Sequence, residues 1–363
     1  MPATGSFALD AVTSGGLSHL AASSADVVRP MASVTKAMTA LVILEAHPLQ
    51  GGDPGPVLTI NATDVADYTT IAAAGGSFAP VVLGEQLTER DLLLGIMLPS
   101  ANNLALTAAR WVDGSVAGFV ARLNARAASL GMGHTHFADP DGLDAATTST
   151  AADLVRLGEA AVDSPAFVSV VSKQQAMLPD GTVVHNLNQL LSEDAGWIGV
   201  KTGWTPAADG CLLFALRRSA GDGGELTVVG AVLAQPPDPA SGSANPELGG
   251  AFDAARSGVQ AVLAGYATVR VGRDTLPVDG SLTAPWGDRT RLELRGADHV
   301  VLVRRGDPLT VTTRLSVPEP PVAAGAEVGS VTVTAAGATV GRWSLVASEA
   351  VAGPALGWRL LND

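Results

Sequence analysis

The stretch Ser33-Val34-Thr35-Lys36, followed by the apolar run from Ala37 to Ala46, decides our interpretation of this chain. A serine and a lysine three residues apart lie on one face of a helix, one turn apart. A serine hydroxyl needs a neighbouring base to become a nucleophile, and a lysine can be that base when burial or a second cation destabilises its ammonium. Because the run is apolar nearly all round, we expect a buried helix. On this motif alone, a capping serine and a solvated lysine remain the commoner interpretation.

Length and composition narrow the classes of protein. A chain of 363 residues is long enough for a large core and about two domains. The net charge of -13 argues against a nucleic-acid partner, which would need a basic face. No apolar run reaches the ~18 residues that a membrane-spanning helix needs. The single cysteine, Cys211, excludes an intramolecular disulfide and leaves the compartment open.

The chain has only three lysines, at positions 36, 173 and 201, although it has many arginines. A lysine retained in such a chain favours a role that arginine cannot fill. Acting as a neutral base is such a role, because a guanidinium does not deprotonate in proteins.

Periodicity and turn signals predict the order of elements. The first 265 residues mix helices and strands, whereas short alternating runs separated by Gly, Pro and Asp follow Tyr266. We therefore predict a mixed α/β domain over residues 1–265 and a small all-β, sandwich-like domain over residues 266–363. The predicted elements are a hairpin in 6–20, helices near 33–46, 88–97, 104–112, 116–130 and 247–264, a helix that begins at Thr150, a short helix that begins at Ser164, a mostly irregular segment in 61–79, a hairpin in 174–184, and strands in 200–216 and 226–233.

Two further motifs follow the first. Ser100-Ala101-Asn102 falls in a break between two predicted helices, where side chains can point into a cleft. Lys201-Thr202-Gly203 falls on a predicted strand, and a strand glycine lets a ligand or another backbone approach closely. A fixed cation beside a hydroxyl donor suits a substrate carboxylate.

The set Ser-x-x-Lys, Ser-x-Asn and Lys-Thr-Gly, in that order, resembles the penicillin-recognising serine enzymes. The flanking sequence narrows this to D-alanyl-D-alanine carboxypeptidases, the low-molecular-mass penicillin-binding proteins. The residues that carry the resemblance are 30–36 (PMASVTK), 84–105, the turn 137–143 (FADPDGL), 186–191 and 199–210. The resemblance covers about residues 6–266. It implies an α/β (α+β) β-lactamase/transpeptidase-like domain, with an antiparallel sheet flanked by helices, followed by a β-rich domain similar in kind to one that many members carry.

By this resemblance, Ser33 attacks the terminal D-Ala-D-Ala peptide and Lys36 accepts its proton. Ser100 relays a proton towards the leaving amine, and Asn102 holds Lys36 and the substrate amide. The resemblance further implies that Lys201, Thr202, Gly203 and Trp204 bind substrate: Lys201 and Thr202 hold the terminal carboxylate, Lys201 helps lower the pKa of Lys36, and the backbone N–H groups of Ser33 and Trp204 form an oxyanion hole.

The sequence departs from the family pattern in one consequential place. Some members carry an arginine at the position of Leu187, where it helps to hold the carboxylate. We expect either that Lys201 and Thr202 suffice or that another arginine, such as Arg256, reaches in. Trp204 stands where several relatives carry a polar residue, so its side chain could shape specificity or simply cover the cleft.

Three alternatives stay open. A β-lactamase of class A would need a glutamate for deacylation, and Glu159 and Glu193, the only glutamates between Asn103 and Val200, are not in its usual context. A non-catalytic envelope protein could bind muropeptides or β-lactams. Transpeptidation, with an amine in place of water, depends on pocket shape.

The expected partners are the peptidoglycan stem peptide and β-lactams. We expect no cofactor and no metal, because His134 and His136 lack a third ligand at a recognisable spacing. Cys211 is expected to be a buried small hydrophobe. Since the family's substrate lies outside the cytoplasmic membrane, we predict export to the cell envelope, with the signal segment and any membrane anchor outside this sequence.

Overall fold

The computed structural model describes residues 4–14, 16–220, 224–276, 280–316, 319, 321–335 and 337–355. Gly15 in the first predicted turn, and residues 221–223 between two predicted strands, lie outside the described residues. The chain divides into two compact units. Unit 1 takes its described residues from Met1–Ala11, His19–Arg218 and Thr227–Val262, and unit 2 from Val12–Ser18, Ser219–Leu226 and Leu263–Asp363. The boundary predicted between residues 265 and 266 stays a prediction.

Helices and a five-stranded sheet build the part of the chain that carries the three motifs. The described helices are α1 (Thr35–Ala46), α2 (Ala62–Ala73), α3 (Glu89–Met97), α4 (Asn102–Asp113), α5 (Val116–Ser129), α6 (Ala151–Val162), α7 (Pro165–Val171), α8 (Leu190–Glu193) and α9 (Pro246–Gly265). The strands are β1 (Ser6–Thr13), β2 (Gly16–Ser23), β3 (Arg29–Pro30), β4 (Val57–Thr59), β5 (Gln86–Thr88), β6 (Thr148–Ser149), β7 (Gln175–Met177), β8 (Val183–His185), β9 (Trp197–Gly203), β10 (Gly210–Ala220) and β11 (Gly224–Gln235).

The main sheet has the order β2-β1-β11-β10-β9, so β9 is one of its two edge strands. Strands β9 and β10 are antiparallel, with Cys211 opposite Gly203 and Leu213 opposite Lys201. The mixed α/β fold with an antiparallel sheet is the one expected from the sequence.

Helix α1 is the centre of the core. Every residue from Thr35 to Leu44 is buried, and the helix ends at Ala46, before His47-Pro48. Burial all round, expected from its unbroken apolar run, leaves no solvated face on which Lys36 could lie.

Two local predictions are wrong. Residues 61–79 were expected to be mostly irregular, but they contain α2. Asn61 caps this helix by accepting from the backbone N–H of Thr63 and Asp64, and the Asp64 carboxylate accepts from the N–H of Asn61 at 2.9 Å. This reciprocal cap offsets the weak helix preference of the Thr and Asp residues that follow. Residues 200–216 were expected to form one strand, but a turn over residues 204–209 separates β9 from β10.

The remaining described strands form two sheets, and buried residues of both sheets belong to one hydrophobic core. Trp343, Leu345 and Val328 lie at its centre, and the indole N–H of Trp343 donates to the carbonyl of Ala297 at 2.8 Å. The strands β12 (Tyr266–Val271) and β15 (His299–Arg304) pair with each other, and the second sheet has the order β13 (Ser281–Thr283), β14 (Arg289–Arg295), β18 (Ala338–Ala347), β17 (Glu327–Ala335), β16 (Leu309–Leu315).

None of the helices in the described part of the chain is both long enough and apolar enough to cross a bilayer.

Candidate active site

Ser33 and Lys36 lie where a short 3-10 helix, Ala32–Val34, runs into α1. The ammonium Nζ of Lys36 lies 2.8 Å from the Oγ of Ser33. Lys36 is fully buried, whereas Ser33 is half-buried. Ala32 has a φ of +48°, a conformation that costs a non-glycine residue about 1–2 kcal/mol. The backbone is therefore strained immediately before the serine, as is common at functional sites.

Lys36 donates to two further oxygens. Its Nζ lies 2.6 Å from the Oδ1 of Asn102 and 2.7 Å from the backbone carbonyl of Asp141. Burial lowers the pKa of Lys36 from 10.5 to about 8, although the nearby carboxyl groups of Asp141 and Asp139 act in the opposite direction. When the amine is neutral it keeps two N–H donors for these two oxygens, and its lone pair can accept the hydroxyl proton of Ser33.

The turn 139–143 contacts Lys36 through the backbone carbonyl of Asp141, and hydrogen bonds fix the turn itself. The Asp139 carboxylate accepts from the N–H of Gly142 at 3.0 Å and of Asp144 at 2.7 Å, and from the hydroxyl of Thr147 at 2.6 Å. Gly142 has a φ of +80°, and a Cβ there would lie 1.9 Å from the carbonyl oxygen of Ala32. Only glycine therefore fits this contact between the turn and the backbone before Ser33.

Burial also acts on the turn's second carboxyl group. Asp141 is buried, and this raises its pKa to about 7, against the opposing effect of the Lys36 charge. Its Oδ1 accepts from the N–H of Leu143 at 3.2 Å. The turn that contacts Lys36 therefore carries a titratable carboxyl group, that of Asp141.

The second motif lies at the start of α4. Ser100 has a φ of +67°, and its Oγ is buried with no hydrogen-bond partner in the described part of the chain. Asn102 was expected in a break between helices, but it is the first residue of α4, where its N–H donates to the carbonyl of Ser77 at 2.9 Å. The helix start thus fixes the amide that Lys36 contacts.

The third motif ends the edge strand β9. A Cβ on Gly203 would lie 2.9 Å from the carbonyl oxygen of Met31 and 3.0 Å from the backbone nitrogen of Ser33. The missing side chain therefore lets the strand pass close to the serine, as the sequence predicts. Lys201 is almost fully buried, and its Nζ donates to the carbonyl of Thr202 at 3.1 Å. Burial, and then the charge of Lys36, lower the pKa of Lys201 well below 10.5.

These elements enclose a cleft of about 160 Å³. Of the residues singled out from the sequence, Lys36, Asn102 and Lys201 lie behind the wall of the cleft rather than in it. Sequence reasoning missed Ser77 and the N-terminal part of α9, which carry no motif. The lining residues are Ser33, Ser77, Ser100, Leu187, Thr202, Gly203, Trp204, Asn245, Glu247 and Leu248.

The expectation that Arg256 could reach the cleft is wrong. Its guanidinium donates to the carboxylate of Glu193, with an Nη2–Oε1 distance of 2.9 Å, and to the carboxylate of Asp253. Arg256 is therefore held away from the lining residues, while Leu187 does line the cleft.

The sequence also singled out Cys211 and the pair His134 and His136, and all three are held within the fold. Cys211 is a fully buried free thiol, as predicted, and burial raises its pKa to about 12. The backbone of His136 pairs with Thr148, and the N–H of His134 donates to Asp153. Over the described ranges, no group of three or more His, Cys, Asp or Glu side chains is arranged to hold a metal ion.

Comparison with known proteins finds one family. The profile of the D-alanyl-D-alanine carboxypeptidases matches residues 8–231. A D-alanyl-D-alanine carboxypeptidase of Streptomyces sp. (strain K15) is 34% identical over 246 residues, which are 63% of this chain and 81% of that protein. A D-alanyl-D-alanine endopeptidase of Escherichia coli (strain K12) is 32% identical over 52% of this chain and 59% of its own length, and a D-alanyl-D-alanine carboxypeptidase of Mycobacterium tuberculosis is 36% identical over 52% of this chain and 62% of its own length.

Comparison with solved structures finds proteins of the same kind. The DD-transpeptidase of Streptomyces K15 is 30% identical, with a TM-score of 0.57 over 71% of this chain and 98% of that chain. Penicillin-binding protein 5 from Haemophilus influenzae shares the fold, with a TM-score of 0.68 at 20% identity over 97% of this chain and 98% of that one. Since the family profile spans more than half of its length, this chain belongs to the D-alanyl-D-alanine carboxypeptidase family.

Proposed function

We propose that the chain is a serine D-alanyl-D-alanine carboxypeptidase that removes the terminal D-Ala of peptidoglycan stem peptides through an acyl-enzyme on Ser33. One observation carries the proposal: a fully buried Lys36, with its pKa lowered, lies 2.8 Å from the Ser33 hydroxyl. That distance suits direct proton transfer between a nucleophile and its base.

In the first step Lys36, as the neutral amine, accepts the Ser33 proton while Oγ bonds to the carbonyl carbon of the penultimate D-Ala. Ser100 passes its proton to the leaving amine as the C–N bond breaks and takes the Ser33 proton back from Lys36; water then hydrolyses the ester and returns the proton to Ser33. The Oγ of Ser100 is buried and has no hydrogen-bond partner among the described residues, which supports this role because such a hydroxyl is free to turn. Asn102 holds Lys36 through Oδ1 and binds the substrate amide.

The third motif binds the substrate. Lys201 and Thr202 hold the terminal carboxylate, and Gly203 keeps the strand close to the nucleophile. The backbone N–H groups of Ser33 and Trp204 form the oxyanion hole, in which one donor is in general worth about 3–4 kcal/mol. The 3.0 Å approach of a Gly203 Cβ to the Ser33 nitrogen supports a shared pocket for these donors.

A β-lactam would acylate Ser33 in the same way and leave slowly. The positions of Glu159 and Glu193 support slow release: Glu193 is paired with Arg256, and neither carboxylate lines the cleft. We place the reaction outside the cytoplasmic membrane, at the peptidoglycan. Transpeptidation remains a second candidate, because the related Streptomyces K15 structure is that of a DD-transpeptidase.

The test is the intact mass of the protein after incubation with benzylpenicillin, for the parent and for Ser33→Ala. We expect a stable adduct on the parent and none on the variant. Rapid drug hydrolysis without an adduct would indicate a β-lactamase. If neither an adduct nor hydrolysis is observed, only the interpretation as a non-catalytic binding protein is left. Release of D-Ala from diacetyl-L-Lys-D-Ala-D-Ala, with and without added glycine as acceptor, then separates hydrolysis from transpeptidation.

A further inference from the structure

The first turn of α9 brings a carboxylate to the cleft. Glu247 is the second residue of this helix; it is exposed and lines the cleft. Its position is fixed through Gly210, where a Cβ would lie 2.7 Å from the Glu247 carbonyl oxygen. Gly210 precedes Cys211, which pairs with Gly203. The helix start is thereby held beside the end of the third motif.

The rest of this side of the cleft is apolar or uncharged. Leu187, Leu248 and the 41%-exposed Trp204 supply hydrophobic surface. Among the described residues that line the cleft, Glu247 alone carries a charged side chain. Lys201 is buried next to Thr202, whereas Glu247 lines the cleft itself.

The indole and the two leucines suit an aliphatic chain of several methylenes, and the Glu247 carboxylate in the same cleft suits an ammonium at the end of that chain. A second carboxylate in the leaving group would instead be repelled. The arrangement therefore matches an amino acid with a long aliphatic side chain that ends in a cation, whose own α-carboxylate goes to Lys201 and Thr202.

We propose, building on the function proposed above, that Glu247 and Trp204 make the leaving-group subsite select a D-amino acid with a lysine-like side chain. The acyl half of the reaction is unchanged: the ester to Ser33 Oγ forms, the C–N bond breaks, and the leaving amine takes the proton. The side-chain ammonium keeps its proton and pairs with the Glu247 carboxylate throughout.

The test compares three substrates, diacetyl-L-Lys-D-Ala-X, in which X is D-Ala, D-norleucine or D-Lys. D-norleucine matches the aliphatic stem of D-Lys without its charge. We expect the parent to have a kcat/KM for D-Lys about two- to fivefold above that for D-norleucine, the size typical of an exposed ion pair. The ratio should fall towards about one in Glu247→Gln and in ~0.5 M salt, because salt screens exposed charges.

The matched control is Glu349→Gln, an exposed glutamate of unit 2, which should keep the parent ratio. Trp204→Ala should lower kcat/KM for D-norleucine and D-Lys together, relative to D-Ala. The inference is overturned if the parent's ratio of kcat/KM for D-Lys to that for D-norleucine is at or below one, or if Glu247→Gln leaves this ratio unchanged. In either case, release of D-Ala by the parent would still support the proposed function. If the parent hydrolyses none of the three substrates and takes up no penicillin, the proposed function itself fails.

Discussion

Replacing Asp141 by Asn should increase the fraction of Lys36 that is neutral at pH 7. With a pKa of about 8, roughly 9% of Lys36 is neutral at pH 7, against about 0.03% at the ordinary value of 10.5. The net shift raises the neutral fraction about 300-fold; burial causes it, and the Asp141 and Asp139 charges oppose it. Removing the Asp141 charge lowers the pKa of Lys36, so acylation at pH 7 should speed up by at most about tenfold, the factor left before every lysine is neutral.

The substitution leaves the geometry intact, because an Asn Oδ1 can still accept from the N–H of Leu143. The measurement is the second-order rate constant for acylation by a fluorescent penicillin between pH 5.5 and 9.5. The parent rate should rise with pH with a midpoint near pH 8 and level off about one pH unit above it, in a transition broadened by Asp141 itself, whose pKa is about 7. The variant should show one simple titration at lower pH.

Asp163→Asn is the control, since it removes one charge at an exposed position at the end of α6 and should leave the profile unchanged. If the midpoint of the pH–rate profile stays in place in Asp141→Asn, or moves to higher pH, the argument that the buried carboxyl group stabilises the ammonium form of Lys36 is refuted. If the parent rate still rises at pH 9.5, the assignment of Lys36 as a base whose pKa is lowered by burial is refuted.

Three further outcomes follow from single contacts. Gly203→Ala should slow penicillin acylation by about 100-fold or more, because its Cβ would displace the backbone of Ser33; an unchanged rate would contradict the close approach of β9. Asn103→Ala should lower the free energy of unfolding in urea by about 2 kcal/mol, since it removes buried hydrogen bonds to both the N–H and the carbonyl of Ala79. Glu89→Gln should stabilise the fold at pH 8 by about 1–2 kcal/mol, with allowance for solvent screening. Burial, and then the charge of Asp53, raise the Glu89 pKa from 4.5 to about 7, so stability is lost as the pH rises through that window, and urea titrations at pH 4 should show no difference.

The sequence was informative wherever the signal is local. The buried helix after Ser33 follows from its unbroken apolar run. The start of α3 follows from Thr88 and Asp91, which form the expected capping box. The same chemistry at Asn61 and Asp64 starts α2, but small and β-branched residues beyond the cap concealed that helix.

The three motifs predicted which residues would meet, but not how. Lys36 contacts the carbonyl of Asp141, 105 positions away, because a glycine at position 142 lets that turn approach the backbone before Ser33. Periodicity carries no information about such contacts, since it describes one element at a time.

The sequence by itself pointed to the candidate reacting groups, because serine and lysine chemistry depends on residue type and on spacing within one helical turn. Only the tertiary structure decided their environment. Arg256, which the sequence left as a candidate for the carboxylate, is paired with Glu193, whereas Glu247, which no motif marks, lines the cleft. The physical reason is that charge and burial at a site are set by whichever elements pack around it, and here the start of α9 approaches the start of β10 at Gly210, a glycine that the sequence pattern does not distinguish.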